Sequence, residues 1–148
     1  MKTVFDSVTR DELIGRIRSL DENSRARWGR MNVYQMLKHG RLWEEMMAGR
    51  LRCKRVFAGR LFGRLLLKRV LKDDSPLMRK AASSPELLVK ETTGDIAAEK
   101  AKWIALIQDY AHFSNPGFVH PFFGEMTKEQ IGYFAYKHAD HHLRQFTS

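Results

Sequence analysis

Three histidines, His138, His141 and His142, fall within five positions near the C-terminal end of the chain, in the stretch KHADHHLRQF (137–146). Residues four apart on an α-helix lie one turn above each other on one face, so His138 and His142 can present two imidazoles to one point. Imidazole is the commonest protein ligand for zinc, nickel and related ions. A third imidazole, His39, belongs to another helical stretch and falls at the centre of its apolar stripe. His39, His138 and His142 together would make a three-histidine site between facing helices. Three neutral nitrogens with an open fourth position are the donor set of a catalytic metal site rather than a closed structural one. A metal there would lower the pKa of a bound water or thiol and hold the anion for attack. Ring nitrogens not on the metal need partners that fix tautomer and orientation. Gln35, one turn before His39, and Gln145, three residues after His142, are placed for that or for contact with substrate. The competing reading is a set of core histidines bonded to carbonyls, since an HxxxH spacing alone is weak. The zincin pattern HExxH does not occur. His141 could replace His142 if the helix were rotated, since i+3 and i+4 reach the same face.

The elements that must position these groups are helical. Thr9-Arg10-Asp11-Glu12 reads as a capping box opening a helix to about Leu20. Asn32-Val33-Tyr34-Gln35 repeats that logic and opens a helix to about Ala48, with Gly49 as its stop. A basic helical stretch spans roughly 56–72. Asp95 caps a helix through about Tyr110 or His112, ended by Asn115-Pro116-Gly117. Thr127-Lys128-Glu129-Gln130 opens the last helix, which runs nearly to the C-terminus. Residues 73–94 hold two prolines and several turn formers and read as a long surface connection. No strand alternation or internal repeat is evident. The expected architecture is a single all-α domain over 1–148, four long helices plus one accessory helix.

At 100° per residue, the last helix turns Ile131, Phe134, Ala135, His138, His142 and Gln145 inward and Lys137, Asp140 and Arg144 to water. The second turns Gln35, Met36, His39, Leu42, Trp43 and Met46 inward and Lys38, Arg41, Glu44 and Glu45 outward. His120, before Pro121 in a loop ahead of the last helix, reads first as a loop anchor and second as a lid or substrate contact. His112 suits a helix C-terminus. Glu99 reads as a solvated edge carboxylate rather than a fourth ligand. Trp28, Trp43, Trp103, Ile107 and Tyr110 read as core, with Trp43 one turn from His39 and able to line a pocket.

The chain has 148 residues, 43% of them hydrophobic, enough for one domain with its own core. Nine Phe and three Trp argue against disorder. Cys53 is the only cysteine, so a disulfide framework is excluded and the thiol reads as inert. The N-terminal stretch lacks a signal-peptide core and no apolar run reaches the ~18 residues of a membrane span, so a cytoplasmic protein is expected. The net charge is +9, and residues 50–72 carry nine Lys or Arg and no acid, so the basicity belongs to that segment. Its apolar side is expected to pack on the bundle while the cations are solvated and their stems cover core. The alternative is a binding module, a basic amphipathic helix lying on anionic lipid or along phosphate backbones. No sequence-reading motif for nucleic acid is present. The same segment could serve a homodimer.

The stretch from Arg27 to His39, with Trp28-Gly29-Arg30-Met31 and Gln35-Met36-Leu37-Lys38-His39, resembles the WGxM…QMLxH motif of the DinB-like superfamily. Within it, the chain is similar to the branch catalogued as domain of unknown function 1569. His120-Pro121-Phe122-Phe123-Gly124-Glu125-Met126-Thr127 and His138 to Phe146 match two further motifs of that branch, in the same order. The resemblance spans essentially the whole chain and is weakest over 50–94. It implies a four-helix bundle with a divalent metal, zinc or nickel, on His39, His138 and His142. It also implies a low-molecular-weight thiol as co-substrate, activated for attack on a small electrophile, as in the thiol-dependent transferases and isomerase of the superfamily. Gln145 and His120 would then position substrate, and pairing into homodimers would be expected. Position 40, often a small polar residue or cysteine in relatives, is Gly40 here, which spares the ligand set but bears on the pocket.

Overall fold

The computed structural model describes residues 1–79 and 81–146. Five helices carry the fold: α1 (Ser7–Arg18), α2 (Val33–Met47), α3 (Phe57–Val70), α4 (Ile96–Asp109) and α5 (Lys128–Phe146). The class is all-α. Short 3-10 turns occupy Pro85–Leu87 and Tyr110–His112, and a small antiparallel pair joins β1 (Val119–His120) to β2 (Gly124–Glu125). That pair was not expected, since two-residue strands are too short to show alternation.

Local chemistry sets most helix ends. At α2 the Asn32 side chain accepts from the Gln35 backbone N–H, while Gln35 Oε1 accepts from the Asn32 N–H, a reciprocal capping box. Thr127 and Gln130 do the same at α5, and Asp95 caps α4 through Ala98. Gly49, with φ 77°, stops α2 in the left-handed conformation. The α1 reading needs correction. Asp6, not Thr9, is the cap, accepting from both the backbone and hydroxyl of Thr9, and the helix runs from Ser7 to Arg18. A carboxylate also complements the positive end of the helix dipole, and this places Thr9 inside the first turn.

α2 packs on both α4 and α5, and α1 also touches both. Gly40 lets α2 approach α4 closely: a Cβ there would overlap the Trp103 ring. Position 40 therefore faces Trp103. Because α2 and α5 are covered on more than one side, three residues assigned to water are buried. Glu44 is 2% exposed, and its carboxylate accepts from the Tyr110 hydroxyl. Burial pushes its pKa up to about 8. Lys137 donates to the carbonyls of Val70 and Asp73 at 2.6 and 2.7 Å. Asp140 accepts from Arg16 and Arg144, both at 2.7 Å. Glu99, expected to be solvated, is buried and ion-paired with Arg41. Trp28, read as core, is only half-buried, with the Arg79 guanidinium 4.3 Å above its ring.

α3 departs most from expectation. Its buried residues are Gly59, Gly63 and Leu67, one row at i, i+4 and i+8. A Cβ at Gly59 or Gly63 would overlap the Phe122 carbonyl oxygen, so only glycine lets the helix backbone lie this close to the β1–β2 turn. Arg55 donates to the carbonyls of His120 and Pro121 and helps hold this contact. The large apolar residues Phe57, Leu61, Phe62 and Leu65 are thereby turned outward and exposed. The segment packs only the end of its apolar side, with Leu67 in the core and Val70 and Leu71 against it, while the glycine row takes the contact at its start by close approach.

Candidate metal centre

α5 places His138 and His142 one turn apart on its buried face, and α2 brings His39 opposite them. Each residue offers one ring nitrogen such that all three lie within 4.8 Å of one another. The ring centroids stand 5.4 Å (His39–His138), 4.7 Å (His39–His142) and 4.6 Å (His138–His142) apart. All three side chains are buried. Among the described residues no carboxylate or thiol joins this group. Glu99 is held by Arg41, and burial pushes the Cys53 thiol up to about 11, in keeping with an inert cysteine.

The hydrogen bonds assign the tautomers. His39 Nδ1 faces the Leu87 carbonyl at 2.9 Å. A carbonyl only accepts, so Nδ1 carries the proton and Nε2 keeps its lone pair. His142 Nδ1 lies 3.3 Å from Gln145 Oε1. The Gln145 amide group donates to the Trp28 carbonyl at 2.6 Å, which turns its oxygen toward His142. His142 Nδ1 therefore donates and its Nε2 is free. His138 stacks on Trp43, with centroids 4.0 Å apart and planes at 14°. Its buried Nδ1 has no hydrogen-bond partner among the described residues. Burial lowers the pKa of His39, and lowers those of His138 and His142 far more, with the neighbouring imidazoles adding to the effect for the latter two. The trio is therefore neutral at pH 7.

A core histidine satisfied by carbonyls accounts for His39 Nδ1 and His142 Nδ1. It does not account for free lone pairs converging within a few ångströms or for an orphaned, desolvated His138 nitrogen, which is costly without a partner. A divalent cation held by one ring nitrogen of each residue accounts for that convergence, so the residues fit a metal. The donor set of three neutral nitrogens suits zinc and nickel.

The other candidates are placed as follows. Gln145 adjoins the trio through His142. Its link to Trp28 depends on Gly29, with φ 83°, where a Cβ would meet the Gln145 amide nitrogen. His141 is turned toward the Trp28 ring, 6.1 Å away, and stays half-buried outside the trio, so His142 is the one that converges. His120 is not in the trio. Its Nδ1 accepts from the backbone N–H groups of Phe122 and Phe123 at 3.1 and 3.2 Å, which anchors the turn. Burial, with Arg55 nearby, pushes its pKa down to about 3. Phe134 lies between it and His138, 5.6 Å from the first ring and 6.5 Å from the second. Gln35 is occupied by its cap and by the Val89 carbonyl. His112 is exposed in the turn after α4. Two surface clefts, beside Tyr34 and beside Tyr133, include none of the three histidines. The Leu87 and Trp28 carbonyls were missed from sequence because any residue type supplies a carbonyl. Only the Trp28-Gly29 pair carried a signal of close backbone approach.

Replacing Gln145 by Ala removes the acceptor that orients His142. Metal affinity is expected to fall about 10- to 100-fold, measured by competition with a chromogenic chelator. Unchanged affinity would mean that Gln145 only anchors the Trp28 loop.

Comparison with curated proteins and with solved structures gives no match. The model of one family, described as Protein of unknown function (DUF1569), matches residues 4–148, and the chain belongs to that family.

Proposed function

We propose that the protein is a divalent-metal-dependent S-transferase of the DinB-like type, acting on a low-molecular-weight thiol and a small electrophile. The observation that carries this reading is the convergence of three neutral, buried imidazoles on one point. Support for the superfamily comes from the three motifs in order and from the closed set of contacts among α1, α4, α2 and α5, which suits a four-helix bundle with α3 as the accessory helix.

His39, His138 and His142 would hold the ion, zinc or nickel. When bound, it would lower the pKa of a thiol and stabilise the anion for attack. The chain's own groups do the rest. The Leu87 carbonyl and Gln145 fix the outer nitrogens of His39 and His142, so the inner lone pairs stay aimed at one point. Trp43 holds the His138 plane and covers it on one side. Gln145 borders the site through His142 and would position substrate, with His120, beyond Phe134, shaping the adjoining wall.

The test is thiol consumption by metal-loaded protein against a panel of chromogenic electrophiles. A rate above background that disappears in His39→Ala is expected. Cobalt(II) substitution adds a second readout, since thiol addition should change the visible spectrum. No rate and no spectral change across the panel would overturn the thiol assignment.

A further inference from the structure

We propose that α3 docks the protein on an anionic lipid surface, independently of the metal site. α3 carries three parallel rows at i, i+4 and i+8. Gly59 and Gly63 lie against the β1–β2 turn and Leu67 joins the core, all three buried. Phe57, Leu61 and Leu65 lie on the opposite side and are 74%, 66% and 72% exposed, with Phe62 beside them at 59%. Arg60, Arg64 and Lys68 run along the flank between these two rows, all exposed. Large apolar side chains at that exposure on consecutive turns are a contiguous patch rather than scattered surface residues. Glu125 lies 3.8 Å from Arg64, but both side chains are largely in solvent, and an exposed pair of this kind screens little of the row's charge.

The charge selects the occupant. Pairing with a second copy would bring two basic flanks together, since residues 50–72 hold nine cations and no acid to offset them. A nucleic-acid backbone would match the cations but offers nothing to the apolar row. An anionic bilayer surface matches both, with headgroups for Arg60, Arg64 and Lys68 and the acyl boundary for Phe57, Leu61 and Leu65. Among the described residues no helix is long and apolar enough to cross a membrane, so the contact is one of lying on the surface. The glycine row makes the geometry possible, because it fixes α3 to the protein by its smallest side chains and leaves its largest outside.

The experiment is flotation of the full chain with vesicles of phosphatidylcholine containing a quarter phosphatidylglycerol, beside pure phosphatidylcholine. Binding to the anionic vesicles alone is expected, weakened at ~0.5 M salt. Each basic residue near such a surface contributes roughly fivefold, so the Arg60→Gln/Arg64→Gln/Lys68→Gln variant should bind about 100-fold more weakly. Leu61→Gln/Leu65→Gln should lose more than about tenfold. These side chains are exposed, and unchanged circular dichroism would verify that the fold is kept. Absence of binding at low salt would overturn the proposal, as would equal binding by the Leu61→Gln/Leu65→Gln variant. A solution dimer dissolved by that variant, or oligonucleotide binding that the variant leaves unchanged while vesicles are not bound, would overturn it in favour of the other occupant.

Discussion

Prepared without a tag, the protein is expected to retain about one equivalent of a transition metal, and the His138→Ala/His142→Ala variant to retain none. Plasma mass spectrometry reads both. The expectation rests on one ring nitrogen each of His39, His138 and His142 lying within 4.8 Å of one another, with Nδ1 of His39 and His142 already engaged, all on buried, neutral rings. Removing two of three donors leaves one imidazole, which cannot hold an ion against water. Binding also adds stability by mass action, roughly 4 kcal/mol at a thousandfold excess over Kd. For a chain of this size that corresponds to a rise in Tm on the order of 10 °C when metal is added back to stripped parent. The His142→Gln variant keeps a polar side chain in the core and separates lost metal from lost packing. If neither parent nor variant binds metal after reconstitution, the trio is a group of core polar residues and the S-transferase reading falls with it.

The second large effect is acid sensitivity of the metal-free protein. His39, His120, His138 and His142 are buried and have folded pKa values below the ordinary value of 6.5, His120 at about 3. Below 6.5 the unfolded chain takes up protons that the folded state refuses, so stability falls as pH falls. For His120, with a folded value of about 3, this amounts to about 2 kcal/mol of destabilisation by pH 5, and His39, His138 and His142 act in the same direction. Glu44 acts the other way. Its raised value of about 8 means that the folded state holds a proton the unfolded chain releases, so its contribution is lost as pH rises through 8 and offsets one histidine below that. With net stabilities of roughly 5–15 kcal/mol, acid unfolding of stripped protein is expected near pH 5. Metal should move the transition to lower pH by holding three of the rings unprotonated. Circular dichroism against pH, with and without metal, measures both curves. Stripped protein equally stable at pH 7 and pH 5 would show that these rings are not buried as neutral groups.

The features read correctly from sequence are those whose physics is local. The capping boxes at Asn32–Gln35 and Thr127–Gln130 involve side chains three residues apart, and types alone identify them. The i, i+4 spacing of His138 and His142 is likewise a property of one helix. At α1 the spacing of Thr9 and Glu12 points to Thr9, but the Asp6 carboxylate caps the helix. Periodicity also failed to count covered faces. Glu44, Lys137 and Asp140 sit opposite the main stripe, yet Tyr110, the Val70–Asp73 segment and α1 close over them.

The helical class, the starts of most helices and the histidines that share a face are all legible in one dimension. Those follow from backbone hydrogen bonding and the 3.6-residue repeat. Tertiary structure alone decided that His142 rather than His141 joins His39 and His138. It also supplied the Leu87 carbonyl 48 residues from His39, which leaves Nε2 free, and it turned the apolar face of α3 outward through the Gly59–Gly63 contact with Phe122. Each of these depends on which surfaces meet and how closely. A one-dimensional pattern records which residues lie together on a helix, but the distance to a neighbouring backbone exists only once the chain has packed.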